Sequence, residues 1–251
     1  MRLMKRILSA AAVLALSASL LVGCSSGTAS SVPVSASSAA ESTVSSVEET
    51  ASSAVDENEA AAAQLLNDLT GSYQELWPVI LADEYKQTWL DDCTALVGED
   101  NAEAAFEKLS SMVTGDVYGE DAVKAYANGG GAYFCGFTNS LATLTFDGET
   151  STISGTDKDG NVLFSHTYHY IGMEPVRGLY EFESDDADSG EFTYFFLAPD
   201  TSAETYHIEF RYGSDAEALS QYDAGEYAYW LASGISTDCD QTMIDNCIEL
   251  F

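Results

Sequence analysis

Apolar positions recur with a helical period up to about residue 127 and with a period of two after it. The first part holds four helical stretches. "AAAAQLLNDL" (60–69) opens it, and "SYQELWPVILADEYKQTWLDDC" (72–93) follows, with Pro78 ending or kinking its first turns. "DNAEAAFEKLSSMVTG" (100–115) carries Asp100 or Asn101 as its cap and Gly115 as its stop, and "YGEDAVKAYANGGG" (118–131) closes the run. "ATLTFDGETSTISGTDKDGNVLFSHTYHYIG" (142–172) then predicts three strands, divided by Asp-Gly turns at 147–148 and 159–160. "RGLYEFES", "EFTYFFLAP" and "ETYHIEFRYG" add three more, and the last residues, with Thr237 as cap, return to helix. Helices, six strands or more, then helices predict an α+β fold, mainly antiparallel β, with the sheet curled into a barrel.

The clearest alternation lies in "SAETYHIEFRYG" (202–213). Thr205, His207, Glu209 and Arg211 point one way and Tyr206, Ile208, Phe210 and Tyr212 the other, as in a half-buried strand. His207 is one of only three histidines, so it is either a metal ligand or a half-exposed polar residue on the outer side of a sheet.

The N-terminus changes the picture next. Arg2, Lys5 and Arg6 precede the apolar run "ILSAAAVLALSASLL", and "LVGC" ends in Cys24. A basic start, an apolar core and small residues before a cut describe a secretory signal. The Leu-to-Gly-Cys spacing resembles a bacterial lipobox, which implies cleavage after residue 23 and lipid attachment at Cys24. Residues 24–59 are rich in Ser, Ala, Thr, Val and Glu without an aromatic, a composition that stays disordered. Such a tether of about 35 residues would hold residues 60–251 roughly 30–40 Å from the membrane on the extracytoplasmic face. No later stretch has the length of a membrane-spanning helix.

Charge narrows the partners. With the signal removed, six basic residues stand against 41 acidic ones, a net −35. Such a surface repels nucleic acid and anionic lipid and concentrates cations weakly. Four further cysteines, Cys93, Cys135, Cys239 and Cys247, allow two disulfides in an exported domain, with free thiols as the alternative. If residues 238–250 are helical, Cys239 and Cys247 stand about 12 Å apart along the axis. A disulfide spans roughly 4–7 Å between Cα atoms, so they would pair with Cys93 and Cys135 instead.

Three phrases in order, "GSYQELWPVI" (71–80), "DADSGEFTYFFL" (186–197) and "YHIEFRYG" (206–213), together with the strand "HTYHYIG" (166–172), resemble the ZinT/YodA family of exported zinc-binding proteins. The resemblance runs from about Leu69 to the C-terminus. It implies a calycin-like (lipocalin-like) barrel flanked by N- and C-terminal helices. It also implies zinc, bound for delivery to a metal ABC importer or its solute-binding protein. The family's ligands are a histidine in an "FSDH" stretch and two in a following "HFH" strand. The last of these falls on His207, the middle one on Thr205, and the first near Asp200, so one of the three is kept.

Zinc takes three or four ligands from His, Cys, Asp or Glu. His207 and Asp200 occupy matching places, and Glu209 shares the His207 face about 7 Å along the strand. His166 and His169, three apart on one strand, face opposite sides. His169 keeps company with Ser165 and Thr167 and suits the open side; His166 sits among Phe164, Tyr168 and Tyr170, although the opposite register would exchange them. The candidate metal set is therefore His207, Asp200, His169, Glu209 and His166. "TDKDGN" and "DDADSG" lack the distal glutamate of a calcium loop and read as turns. No nucleophile elbow, phosphate cradle or HExxH is present, so the sequence does not describe an enzyme. The alternative to a metal carrier is a metal-free calycin-like module that binds a small apolar ligand or a partner protein. Trp77, Trp89, Trp230, Tyr227 and Tyr229 are its expected core, or the lining of its cavity.

Overall fold

Hydrogen-bonded neighbours follow chain order from β1 (Gly71–Glu75) through β2 (Thr143–Asp147), β3 (Thr152–Thr156) and β4 (Val162–Met173). They continue through β5 (Tyr180–Ser184), β6 (Tyr194–Leu197) and β7 (His207–Gly213) to β8 (Ala232–Ser236). The computed structural model describes residues 57–126, 131–198 and 207–251. Every pairing is antiparallel, and β8 pairs back onto β1, with Gln74 opposite Ile235, so the sheet closes into an eight-stranded barrel without a free edge. Nearest-neighbour order around a closed barrel is the up-and-down arrangement of lipocalin-type folds.

The expected meander is present, and Asp side chains close its turns. Asp147 Oδ1 accepts from the backbone of Glu149 and Thr150. Asp157 accepts from the backbone of Asp159 and Asn161 and from the Asn161 amide, so "TDKDGN" is a turn held by its first carboxylate. Two strands lie where helix was expected. β1 occupies the start of the 72–93 stretch, and β8 lies inside the C-terminal one. Both are five residues long and abut helical or irregular chain, so their own pattern is too short to announce a strand. The barrel recruits them because β2 and β7 would otherwise present bare edges.

Aromatic rings fill the barrel. Phe164 stacks on Phe192 at 3.9 Å, Phe192 on Tyr212 at 5.5 Å and Tyr212 on Phe195 at 5.3 Å; Phe210 lies 6.4 Å from Phe195 and 5.3 Å from Phe137. These residues come from the inward positions of β4, β6 and β7 and from the adjoining turns. The calycin-like reading that puts an apolar ligand inside the barrel thus meets a centre already occupied by side chains.

Helices cover one end and one side. Residues 57–68 form α1, whose Ala62, Leu65, Leu66 and the adjoining Leu69 join the core. α2 (Leu76–Ile80) leaves β1 directly and carries Pro78 in its first turn, where a missing N–H costs no helical bond. α3 (Lys86–Val97) is tied to α2 by Trp89 Nε1, which donates to Ile80 O at 2.7 Å. α4 (Glu99–Val113) packs on α3 through Phe106 and Trp89, 6.0 Å apart, and its N-cap is Gly98 rather than the expected Asp100 or Asn101. α5 (Glu120–Ala125) and α6 (Ala216–Leu219) are short. α7 (Gln241–Ile248) turns Ile244, Cys247 and Ile248 inward. Its cap is Asp240, which accepts from Met243 N at 2.9 Å, rather than Thr237. The four cysteines are free thiols, against the expectation of two disulfides: Cys93, Cys135 and Cys247 are buried and Cys239 is half-buried just before α7.

Candidate functional site

Alternation along β7 holds as expected, but its polar face is covered. Ile208, Phe210 and Tyr212 belong to the core, which turns His207, Glu209 and Arg211 to the barrel's outer side. There His207 is only 7 % exposed and Arg211 wholly buried, while Glu209 is half-buried. The half-exposed outer residue expected at His207 is therefore a buried one. Its strand neighbour is Ile235 of β8, itself buried on that outer side.

Arg211 explains much of the covering. Its guanidinium donates to the carbonyls of Leu219, Gln221 and Tyr227 and lies 4.4 Å over the Tyr222 ring. Burial lowers its pKa from the ordinary arginine range, opposed by the neighbouring Tyr222. The other face of the cluster is Arg177, 4.5 Å from the Tyr222 centroid and 5.7 Å from that of Tyr133. These are the two arginines that follow Cys24 in the chain, and both reach one tyrosine. Glu174, buried beside them, accepts from the backbone N–H of Val176 and Arg177 at 2.8 and 2.6 Å and from the Tyr222 hydroxyl at 3.4 Å. No spacing pattern links residues 174, 177, 211 and 222, so sequence reasoning missed this cluster.

The β4 histidines take the register favoured from sequence. His166 shares the inward side with Phe164 and Tyr168, its ring 5.9 Å from Phe164 and 6.5 Å from Tyr168. His169 lies outward and half-exposed. Each is held through Nδ1 by one of two consecutive aspartates that follow β5: His166 by Asp186 Oδ2 at 2.8 Å, His169 by Asp185 Oδ1 at 2.7 Å. In the neutral ring an Nδ1 that faces a carboxylate keeps the proton, leaving the Nε2 lone pair as acceptor or ligand. "DDADSG", read as a turn from sequence, thus also clasps β4 from both sides.

The candidate metal set divides between two regions. His207 and Glu209 share one face of β7, about 7 Å apart along the strand. His166 and His169 stand on β4, three strands away around the sheet, or about 14 Å at the usual strand spacing. Asp200 lies outside the described residues, as do Thr205 and Cys24. Among the described residues no three His, Cys, Asp or Glu side chains form a group able to hold a metal ion. Zinc takes three or four ligands, and this face of β7 brings two, His207 and Glu209. Among the described residues, too, no helix is long and apolar enough to cross a membrane.

No protein-family model matches the chain, and no curated protein matches it. Among solved structures it is similar to the Zn(II)-bound ZinT-like domain of Streptococcus pneumoniae AdcA, at 17% identity and a TM-score of 0.46, over 73% of this chain and 89% of that one. It is also similar to Zn(II)-bound AdcA from the same organism, at 16% identity and a TM-score of 0.42, over 72% of this chain but only 34% of that one.

Proposed function

We propose that the chain is a lipid-anchored, extracytoplasmic metal-binding module that captures zinc or a similar divalent ion for transfer to an importer, and that it is not an enzyme. In this reading residues 1–23 are the signal, Cys24 carries the lipid, and residues 24–59 are the tether. The observation that carries it is the burial of His207 beside Glu209 on the covered face of β7, immediately after the segment that contains Asp200. A histidine in so enclosed a place is more tightly oriented than a surface imidazole. Further support comes from the resemblance of the 71–80, 186–197 and 206–213 phrases to ZinT/YodA sequences. The −35 charge of the processed chain raises the local concentration of cations.

The test is calorimetric titration of zinc into the processed chain carrying Cys24→Ser, which leaves it unlipidated. One zinc should bind per chain, and His207→Ala should weaken binding by about tenfold or more, as loss of a protein ligand does. His166→Ala and His169→Ala should leave the affinity unchanged. An absence of heat at micromolar protein, or an affinity indifferent to His207, would end the metal reading.

A further inference from the structure

A cleft of about 350 Å³ opens beside the barrel, between α2, the C-terminal end of α4 and the chain from Phe134 to Gly136. Its lining includes Trp77, Pro78, Leu81 and Phe134, with two chemistry-bearing groups, the Glu75 carboxylate and the Cys135 thiol. That volume lies within the range of small-molecule sites, which combine apolar walls with a few placed polar groups. It lies outside the ring-filled centre of the barrel.

The polar groups define what would fit. Glu75 ends β1, and its Oε1 accepts the backbone N–H of Phe137 at 2.7 Å, which fixes the carboxylate at the cleft. That bond uses one oxygen and leaves Oε2. Among the described residues no lysine or arginine pairs with it: the ion pairs of Lys86, Lys124 and Lys158 go to other carboxylates. The second group, the Cys135 thiol, is buried. A carboxylate without a lysine or arginine partner among the described residues, set against an indole and a phenyl ring, favours a cation whose body is apolar. A hydrated divalent ion is disfavoured, because it needs several oxygen ligands where the cleft brings one carboxylate among apolar walls.

We infer that this cleft binds a small organic ammonium ion, its charged head on Glu75 and its apolar body against Trp77, Pro78, Leu81 and Phe134. The site does not depend on zinc and stands or falls apart from the metal reading.

Phenethylammonium, neutral 2-phenylethanol and anionic phenylacetate are probes of one size and three charges. Titrated calorimetrically into the processed Cys24→Ser chain without metal, the cation should bind saturably, the alcohol about tenfold or more weakly, and the anion least. Glu75→Gln keeps a carbonyl acceptor for Phe137 N–H and should bring the cation to the affinity of the alcohol. Leu81→Trp should fill the cleft and abolish binding of the cation and the alcohol while the melting transition persists, which keeps the test decisive if Glu75→Gln fails to fold. Equal affinity for cation and alcohol, unchanged affinity in a folded Glu75→Gln, undiminished binding in Leu81→Trp, or no saturable binding of the cation would each overturn the inference.

Discussion

Arg211→Met is the substitution whose effect can be worked most directly from the structure. The guanidinium of a fully buried Arg211 donates to three carbonyls, Leu219, Gln221 and Tyr227, all in the 214–231 segment that joins β7 to β8. A hydrogen bond from a charged donor contributes about 1.5–3 kcal/mol, and the 3.4 Å contacts to Gln221 belong at the low end or below. Desolvation of the cation opposes this by several kcal/mol, the same effect that lowers its pKa. Methionine replaces most of the stem but leaves three carbonyls without their donor, so the net loss should be about 2–4 kcal/mol. That is a large part of the 5–15 kcal/mol that holds a typical domain. Urea unfolding should show a lower midpoint at constant slope, and hydrogen exchange should accelerate in 216–231 while β4 and β5 keep their protection. A loss under about 0.5 kcal/mol, or a gain, would mean that desolvation of the charge outweighs its bonds, and the account of Arg211 as the tie of that segment would be refuted.

Gly148 follows β2 at the point where α1 meets the barrel. A Cβ there would lie 2.4–2.6 Å from the backbone of Leu66 and Asn67, so Gly148→Ala should lower stability by about 1–3 kcal/mol and loosen α1 selectively in hydrogen exchange. An unchanged melting temperature would contradict that docking. Alkaline stability has a defined sign. Burial pushes the thiols of Cys135 and Cys247 up to about 12, whereas an unfolded thiol ionises near about 8.5. Their contribution is complete below about pH 8.5 and is lost as pH rises toward 12, because the unfolded chain gives up those protons first, by about 1.4 kcal/mol per pH unit for each thiol. Tyr73, Tyr222 and Tyr227, also raised to about 12 by burial, steepen the fall above about pH 10. Urea midpoints between pH 8 and 10 should therefore decline, and less so in Cys247→Ala; identical slopes for the two proteins would show that Cys247 does not take part.

Legibility of the site followed the range of the forces involved. Strand alternation put His207 with Glu209, and it set His169 outward and His166 among Phe164 and Tyr168, because neighbouring side chains in a strand must point to opposite faces. What lies over a face is not local. His207 is buried because the outer side of the β7–β8 region is covered by other parts of the chain, and Arg211 because carbonyls up to 16 residues further on converge on it. The aspartates that hold His166 and His169 come from a turn read correctly as a turn, 20 and 16 residues away. The same limit applied to the cysteines: the last helix starts at Gln241, after Cys239, and the four thiols are free.

By itself the sequence determined the change from helices to an antiparallel meander, the Asp-closed turns, and the two faces of each long strand, since all of these depend on residues within a few positions of one another. Tertiary structure alone decided that β1 and β8 are strands, that they join to close the barrel, and that rings from β4, β6 and β7 fill its centre. It also decided that Arg177 and Arg211 meet at Tyr222, and that Glu75 stands at a cleft lined by Trp77 and Phe134. The physical reason is that edge pairing and burial act between segments far apart in the chain, and no local pattern records which distant surface will arrive.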